Sequence, residues 1–212
     1  MTFDTPILFL IFNRPDTTAQ VFERISALRP KYLYIAADGP RKNKKTDVEN
    51  CRQTRNIVQN IDWHCEVKIL FQEKNLGCGK APATAITWFF DHVEEGIILE
   101  DDCLPDPSFF TFCQTLLGYY RTDARVALLS GNAHYPGSLP PESYYFLKYP
   151  ATWGWATWRR TWQQYDYELN NLPTNSILFS EFWNVTFDKI YHKKMTTCWD
   201  YQLYYLDRKS VV

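Results

Sequence analysis

Three consecutive carboxylates, Glu100-Asp101-Asp102, follow directly on the branched aliphatic run Ile97-Ile98-Leu99. An apolar strand whose end turns abruptly acidic reads as a buried strand opening onto a polar cleft, where α/β proteins hold their ligands. Ionising three adjacent acids is costly unless a cation or a set of donors offsets their field. A hard divalent ion that keeps several waters and shares ligand phosphates, as Mg²⁺ or Mn²⁺ does, suits such a group. Strand alternation sends Glu100 and Asp102 to one side and Asp101 to the other, and Asp102, last before the loop, has the best access to a metal. The competing reading is an acidic strand end that is merely solvated.

Other chemistry-bearing residues occupy comparable positions. Arg14, in Asn13-Arg14-Pro15-Asp16, follows the apolar run Pro6 to Phe12. From the end of that first strand its guanidinium could take a diphosphate oxygen bidentately; alternatively it is a surface arginine paired with Asp16 or Glu23. Asp38, beside the permissive Gly39 at a second strand end, could accept an imide N–H from a nucleobase. Lys80 ends Asn75-Leu76-Gly77-Cys78-Gly79-Lys80 at a helix start, where it could meet a phosphate while the glycines permit close backbone approach. That spacing is not a Walker loop, and a plain turn is the simpler reading. Asp200 lies among aromatics in Cys198-Trp199-Asp200-Tyr201-Gln202. Partial burial would raise its pKa and suit a general base, whereas a buried, hydrogen-bonded structural Asp is the commoner outcome.

Positioning these residues takes an alternation of strands and helices. Pro6 to Phe12 fits a central parallel strand. A helix capped by Asp16 or Thr17 follows, with Val21, Phe22, Ile25 and Leu28 at helical spacing, ending before Pro30. Tyr32 to Ala37 is a second strand, and the basic loop Arg41 to Lys45 reads as solvated. The pattern continues with a helix over Asp47 to Ile61, carrying Val48, Cys51, Val58 and Ile61 on one side, and a strand over Glu66 to Phe71. Ala81, Ala85, Trp88, Phe89 and Val93 then share a helical register, the acidic strand follows, and a helix spans Ser108 to Tyr120 before a fifth strand over Val126 to Ser130. This is an α/β fold with a mostly parallel sheet flanked by helices. Beyond Ser130 the pattern gives way to Pro-rich and aromatic segments at Tyr135 to Pro141, Tyr144 to Tyr149 and Ala151 to Arg159. That shift suggests an aromatic-rich extension on the ligand-binding half. Its tryptophans could offer flat surfaces to sugars or bases, or form a dense aromatic core.

Composition narrows the classes. The chain has 212 residues, 45% hydrophobic, which suffices for one domain with a sizeable core. A formal net charge of -1 gives no basic field for nucleic acid or an anionic membrane, so phosphate binding must be local. The six cysteines form no C-x-x-C pair and lack zinc-type spacing with the four histidines. They read as reduced, mostly structural thiols of a cytoplasmic protein. No secretory leader and no bilayer-length apolar run is expected, with peripheral membrane contact left open.

Taken in order, Asn13-Arg14-Pro15, Asp38-Gly39, Asn75-Leu76-Gly77, Glu100-Asp101-Asp102, Pro105-Asp106-Pro107-Ser108-Phe109-Phe110, Trp153-Gly154-Trp155-Ala156-Thr157-Trp158 and Trp199-Asp200-Tyr201 resemble the nucleotide-diphospho-sugar glycosyltransferases of GT-A fold. The likeness is to the family 2-like group, nearest to N-acetylglucosaminyltransferase I and bacterial sugar-transferase-like relatives, and covers most of the chain. It implies a Rossmann-like GT-A domain over 1–212, with residues 1–130 as the nucleotide-sugar half and 131–212 as the acceptor side. It also implies a nucleotide-sugar donor, UDP-sugar favoured, and a carbohydrate or glycolipid acceptor of polysaccharide biosynthesis. Asp102 would be the ligand of Mn²⁺ or Mg²⁺, Glu100 would face the donor sugar and Asp101 the ribose. Asp38 would contact the base and Arg14 the nucleotide, with Lys80 a further donor contact. Trp153, Trp155 and Trp158 would flank the acceptor, and Asp200 would be the catalytic carboxylate of an inverting transfer. Relatives usually continue past the final segment with further strands and a helix, so a shortened, inactive homologue or a non-catalytic nucleotide-sugar-binding module is an alternative. A sugar-phosphate nucleotidyltransferase ranks lower, because Asn13-Arg14-Pro15 stands where a glycine-rich loop is expected.

Overall fold

The structure, a computed structural model, describes residues 3–132, 143–147, 151–170 and 181–210. The segment Tyr135 to Pro141 lies outside the described residues.

Strand β1 (Ile7–Ile11) has every residue buried because both faces of the sheet are covered. Its side chains alternate between two cores. Ile7, Phe9 and Ile11 join one with Val21, Phe22 and Ile25 of helix α1 (Pro15–Leu28), while Leu8 and Leu10 join the other. Strand β2 (Tyr32–Ala37) and strand β3 (Glu66–Phe71) pair in parallel on one side of β1, and β4 (Glu95–Glu100) pairs in parallel on the other. Helix α2 (Lys45–Ile57) packs on α1. Helix α3 (Gly77–His92) lies on the second face through Ala83, Ala85, Ile86, Phe89 and Phe90. Helix α4 (Pro107–Tyr119) covers the first face, its start capped by Asp106, which accepts the Ser108 N–H at 2.9 Å.

Strand β5 (Leu128–Ser130) does not join β4 directly. The aromatic segment supplies β6 (Trp155–Trp158), antiparallel to both and inserted between them, so the six-stranded mixed sheet runs β3-β2-β1-β4-β6-β5. Trp155 and Trp158 thereby become core residues, at 1% and 2% exposure. They do not form an acceptor platform, whereas Trp153, just outside the strand, is 59% exposed. Short helix α5 (Arg159–Trp162), helix α6 (Glu181–Tyr191) and helix α7 (Tyr201–Ser210) complete the fold.

Two helix starts differ from the periodicity. Helix α1 begins at Pro15, and neither Asp16 nor Thr17 caps it; Arg14 occupies the cap position without a side-chain capping bond. Proline is pre-set for the first helical position and lacks the N–H that would need a cap. Helix α2 runs Lys45–Ile57, and it buries Asp47 while leaving Val48 63% exposed. The carboxylate takes the inward position because Arg41 and Asn13 satisfy it there. Among the described residues no helix is long and apolar enough to cross a membrane.

Candidate active site

From β1 the chain builds outward to β2 and β3, then returns to lay β4 on the opposite side of β1. Loops diverge at such a reversal and leave a crevice at the strands' carboxyl ends. A cleft of about 360 Å³ opens there, lined by Phe12, Arg14, Asp38, Arg41, Gln72, Asn75, Gly77, Cys78, Glu100 and Asp101. Several residues singled out by the sequence therefore meet at one sheet edge.

Glu100 is the last residue of β4, on the same face as Ile98, toward α3 and α7. Its carboxylate has no hydrogen-bond or ion-pair partner among the described residues. Burial pushes its pKa up to about 7, and the charges of Asp102, Asp101 and Asp200 add to the rise. Strand alternation stops there, because the chain turns and the Cys103 N–H donates to the Glu100 carbonyl at 3.1 Å. Asp101, at 2% exposure, accepts the Phe12 N–H at 3.0 Å and pairs with Arg14 Nη2 at 2.6 Å. Burial raises its pKa while Arg14 and the Phe12 N–H pull against that rise. Expected to face a ribose, it instead ties the ends of β1 and β4 together. Asp102 is half-exposed and pairs with Arg14 Nη1 at 2.7 Å. Arg14 thus pairs with neither Asp16 nor Glu23; its fork is divided between two acids of the cluster.

No three His, Cys, Asp or Glu side chains form a ready-made metal cage among the described residues. The donor set still fits a hard divalent ion, being all oxygen, with one guanidinium set against three carboxylates and Glu100 uncompensated. Such an ion, if bound, would be held through Asp102, with waters and ligand phosphates completing its shell, as Mg²⁺ commonly requires.

Asp38 is committed to its loop. Oδ1 accepts the N–H groups of Gly39 and Leu76 at 2.8 Å each, and Oδ2 accepts Asn75 Nδ2 at 2.8 Å and the Gly77 N–H at 3.0 Å. Four donors use all the in-plane acceptor capacity of a carboxylate, so an imide N–H has nothing left to meet. Asp38 fixes the start of α3 instead. Lys80 is exposed, and the cleft is lined from α3 by Cys78, Ala81 and Ala85 but not by Lys80. The close approach anticipated at the glycines is real but serves another partner. A Cβ on Gly79 would sit 2.3 Å from the Thr196 carbonyl oxygen, and Cys78 Sγ donates to the Thr197 carbonyl at 3.2 Å. Helix α3 therefore carries the 196–200 segment at its start.

That segment delivers Asp200. Trp199 stacks on Trp155 with centroids 5.7 Å apart, and its carbonyl accepts the Tyr165 hydroxyl at 2.8 Å. Gln202 Nε2 donates to the Tyr167 carbonyl at 2.8 Å. Asp200 lies immediately before α7, close enough for its charge to raise the Glu100 pKa. Burial raises its own pKa, offset in part by the backbone N–H groups from Trp199 to Tyr201. Asp200 is not among the residues lining the cleft; its link to the acidic strand end is the effect of its charge on Glu100.

Sequence reasoning missed a second charged group in the cleft wall. Arg41 binds Asp47 through Nε at 2.6 Å and Nη2 at 2.9 Å, Asn13 Nδ2 donates to the same carboxylate at 2.9 Å, and the Arg41 guanidinium lies 5.4 Å from the Phe12 ring centroid. The Arg41 hydrogen bonds lower the Asp47 pKa. Asn13 and Asn75, each just past a strand, were the available signal. No protein-family model matches this chain, and no curated protein matches it.

Proposed function

We propose that the chain is a metal-dependent, inverting glycosyltransferase of GT-A type, moving a sugar from a nucleotide-diphospho-sugar to an acceptor hydroxyl. One observation carries the reading: a buried parallel strand ends at Glu100 and runs on into Asp101 and Asp102, with Glu100 and Asp101 lining the switch-point cleft and Asp102 joined to it through Arg14, while a distant segment brings Asp200 close enough for its charge to raise the Glu100 pKa. A solvated acidic strand end would need neither the burial of Glu100 and Asp101 nor that second carboxylate.

In this reading the nucleotide lies in the cleft between the ends of β1, β2 and β3, over Phe12 and Arg41, with its diphosphate toward Arg14 and Asp102. Asp102 would hold the divalent ion, which when bound would supply positive charge against the departing nucleoside diphosphate. Asp200 takes the proton from the acceptor hydroxyl. The oxygen bonds to the anomeric carbon from the face opposite the leaving group, and the carbon–phosphate oxygen bond breaks with its electron pair going to the diphosphate. That single displacement inverts the anomeric configuration. Glu100, whose pKa burial and the neighbouring acids raise, can in its protonated form donate a hydrogen bond to a donor-sugar oxygen.

A non-catalytic nucleotide-sugar-binding module is the second reading, favoured by the hold of Arg14 on Asp102. A screen of UDP- and GDP-sugars with Mn²⁺, reading nucleoside diphosphate release and product anomer, separates the two. Slow hydrolysis or transfer with inversion supports the enzyme. Binding with no release under any donor and acceptor sugar tried favours the module.

A further inference from the structure

Arg14 makes an unusual use of its guanidinium. The fork does not grip one carboxylate bidentately but spans two, Nη2 on Asp101 at 2.6 Å and Nη1 on Asp102 at 2.7 Å. The two arms are unequal. Asp101 is 2% exposed and is anchored on its other oxygen by the Phe12 N–H, so that arm is fixed to the floor of the cleft. Asp102 is 46% exposed, and its further contact is a long one from Cys103 Sγ at 3.6 Å, so that arm faces exchange with solvent and ions. A charge-assisted bond that is half-exposed is weak enough to be replaced, whereas one that satisfies a buried acid is not.

We propose that Arg14 is a resident counter-cation which a divalent ion must displace from Asp102, and which then pivots on Asp101 to hold the diphosphate of the ligand. The inference rests on the glycosyltransferase reading and adds to it a coupling between metal and diphosphate. With Asp102 held by Nη1, a metal ion arrives against a like charge and a competitor. Once Nη1 is released, the guanidinium lies in the cleft wall with donors unfilled, and an incoming diphosphate supplies acceptors of matching charge and geometry. Ion and diphosphate therefore bind together better than either does alone.

The test uses Mn²⁺ alone and preformed Mn²⁺–pyrophosphate, which carries the diphosphate without a choice of base, on the full chain. Mn²⁺ binding is read by electron paramagnetic resonance of the free ion and pyrophosphate binding by calorimetry. Arg14→Gln is expected to bind Mn²⁺ alone roughly tenfold more tightly than the wild type and the Mn²⁺–pyrophosphate complex roughly tenfold more weakly. Opposite signs are the signature. An arginine that only stabilises the fold would weaken both, and one that only meets phosphate would leave Mn²⁺ affinity unchanged; either result overturns the proposal. Arg14→Lys keeps the charge but cannot span both acids, so it guards against misfolding of the first variant. It should also gain Mn²⁺ affinity while keeping most of its affinity for the complex, and wild-type behaviour in it counts against the proposal. If the wild-type chain binds neither Mn²⁺ nor the complex, the glycosyltransferase reading fails and this inference with it. If the wild type binds both and the variants lack the opposed changes, this inference alone fails.

Discussion

Replacing Glu100 by Gln should make the protein more stable above neutral pH. In the folded chain burial and the neighbouring acids raise the Glu100 pKa from the ordinary 4.5 to about 7. Below pH 4.5 the group is protonated in both folded and unfolded chains and costs nothing. Between these values the unfolded chain releases the proton and the folded chain retains it, so stability falls as pH rises, and above about 7 the whole cost remains. At about 1.4 kcal/mol per pH unit, the span from 4.5 to about 7 corresponds to about 3 kcal/mol. For a chain of this length that is roughly 6–12 °C in melting temperature. Urea unfolding of wild type and Glu100→Gln at closely spaced pH values from 5 to 8 measures the effect. Asp101 and Asp200 also have raised pKa values, and comparing the two proteins removes most of their contribution. The variant should gain on the wild type steadily through the window. Parallel stability curves would refute the uncompensated burial of Glu100, and with it the case that the cluster awaits a cation.

Three other changes probe the remaining parts. Asp200→Asn should leave Mn²⁺-linked donor binding within about twofold and lower turnover about 10²–10⁴-fold, as measured by nucleoside diphosphate release. Trp155→Ala removes a side chain packed between Trp162 and Trp199 and should cost about 3–5 kcal/mol in urea unfolding; a surface acceptor platform would lose binding with little change in stability. Asp38→Ala strands the donors of Gly39, Asn75, Leu76 and Gly77 and should cost about 3 kcal/mol or more, with faster hydrogen exchange at the start of α3.

The parallel half was legible because buried strands and their helices carry their own periodicity. Tyr32–Ala37 and Glu66–Phe71 were read to the residue. Strand β6 was not, since Trp155-Ala156-Thr157-Trp158 is paired entirely through partners about 25 to 60 residues earlier, and nothing local distinguishes a core tryptophan from a platform tryptophan. In the site, the residue types and the strand end were readable from Ile97 to Asp102. Their partners were not. That Asp38 would be saturated by Asn75, Leu76 and Gly77, and that Arg14 would span Asp101 and Asp102, depends on contacts 37 to 39 and 88 residues apart that no short-range pattern encodes. Asn13 and Asn75, side chains with both donor and acceptor just past strand ends, were the cues available for the loop networks.

In the proposed mechanism Asp102 ties metal to nucleotide beside the cleft. Calorimetric titration of UDP-sugars and GDP-sugars into wild type and Asp102→Ala, with and without Mn²⁺, measures that link. Donor binding that requires Mn²⁺ in the wild type and is abolished in Asp102→Ala is the predicted result. Absence of any Mn²⁺-linked nucleotide binding in the intact protein, or binding that survives Asp102→Ala undiminished, would contradict it.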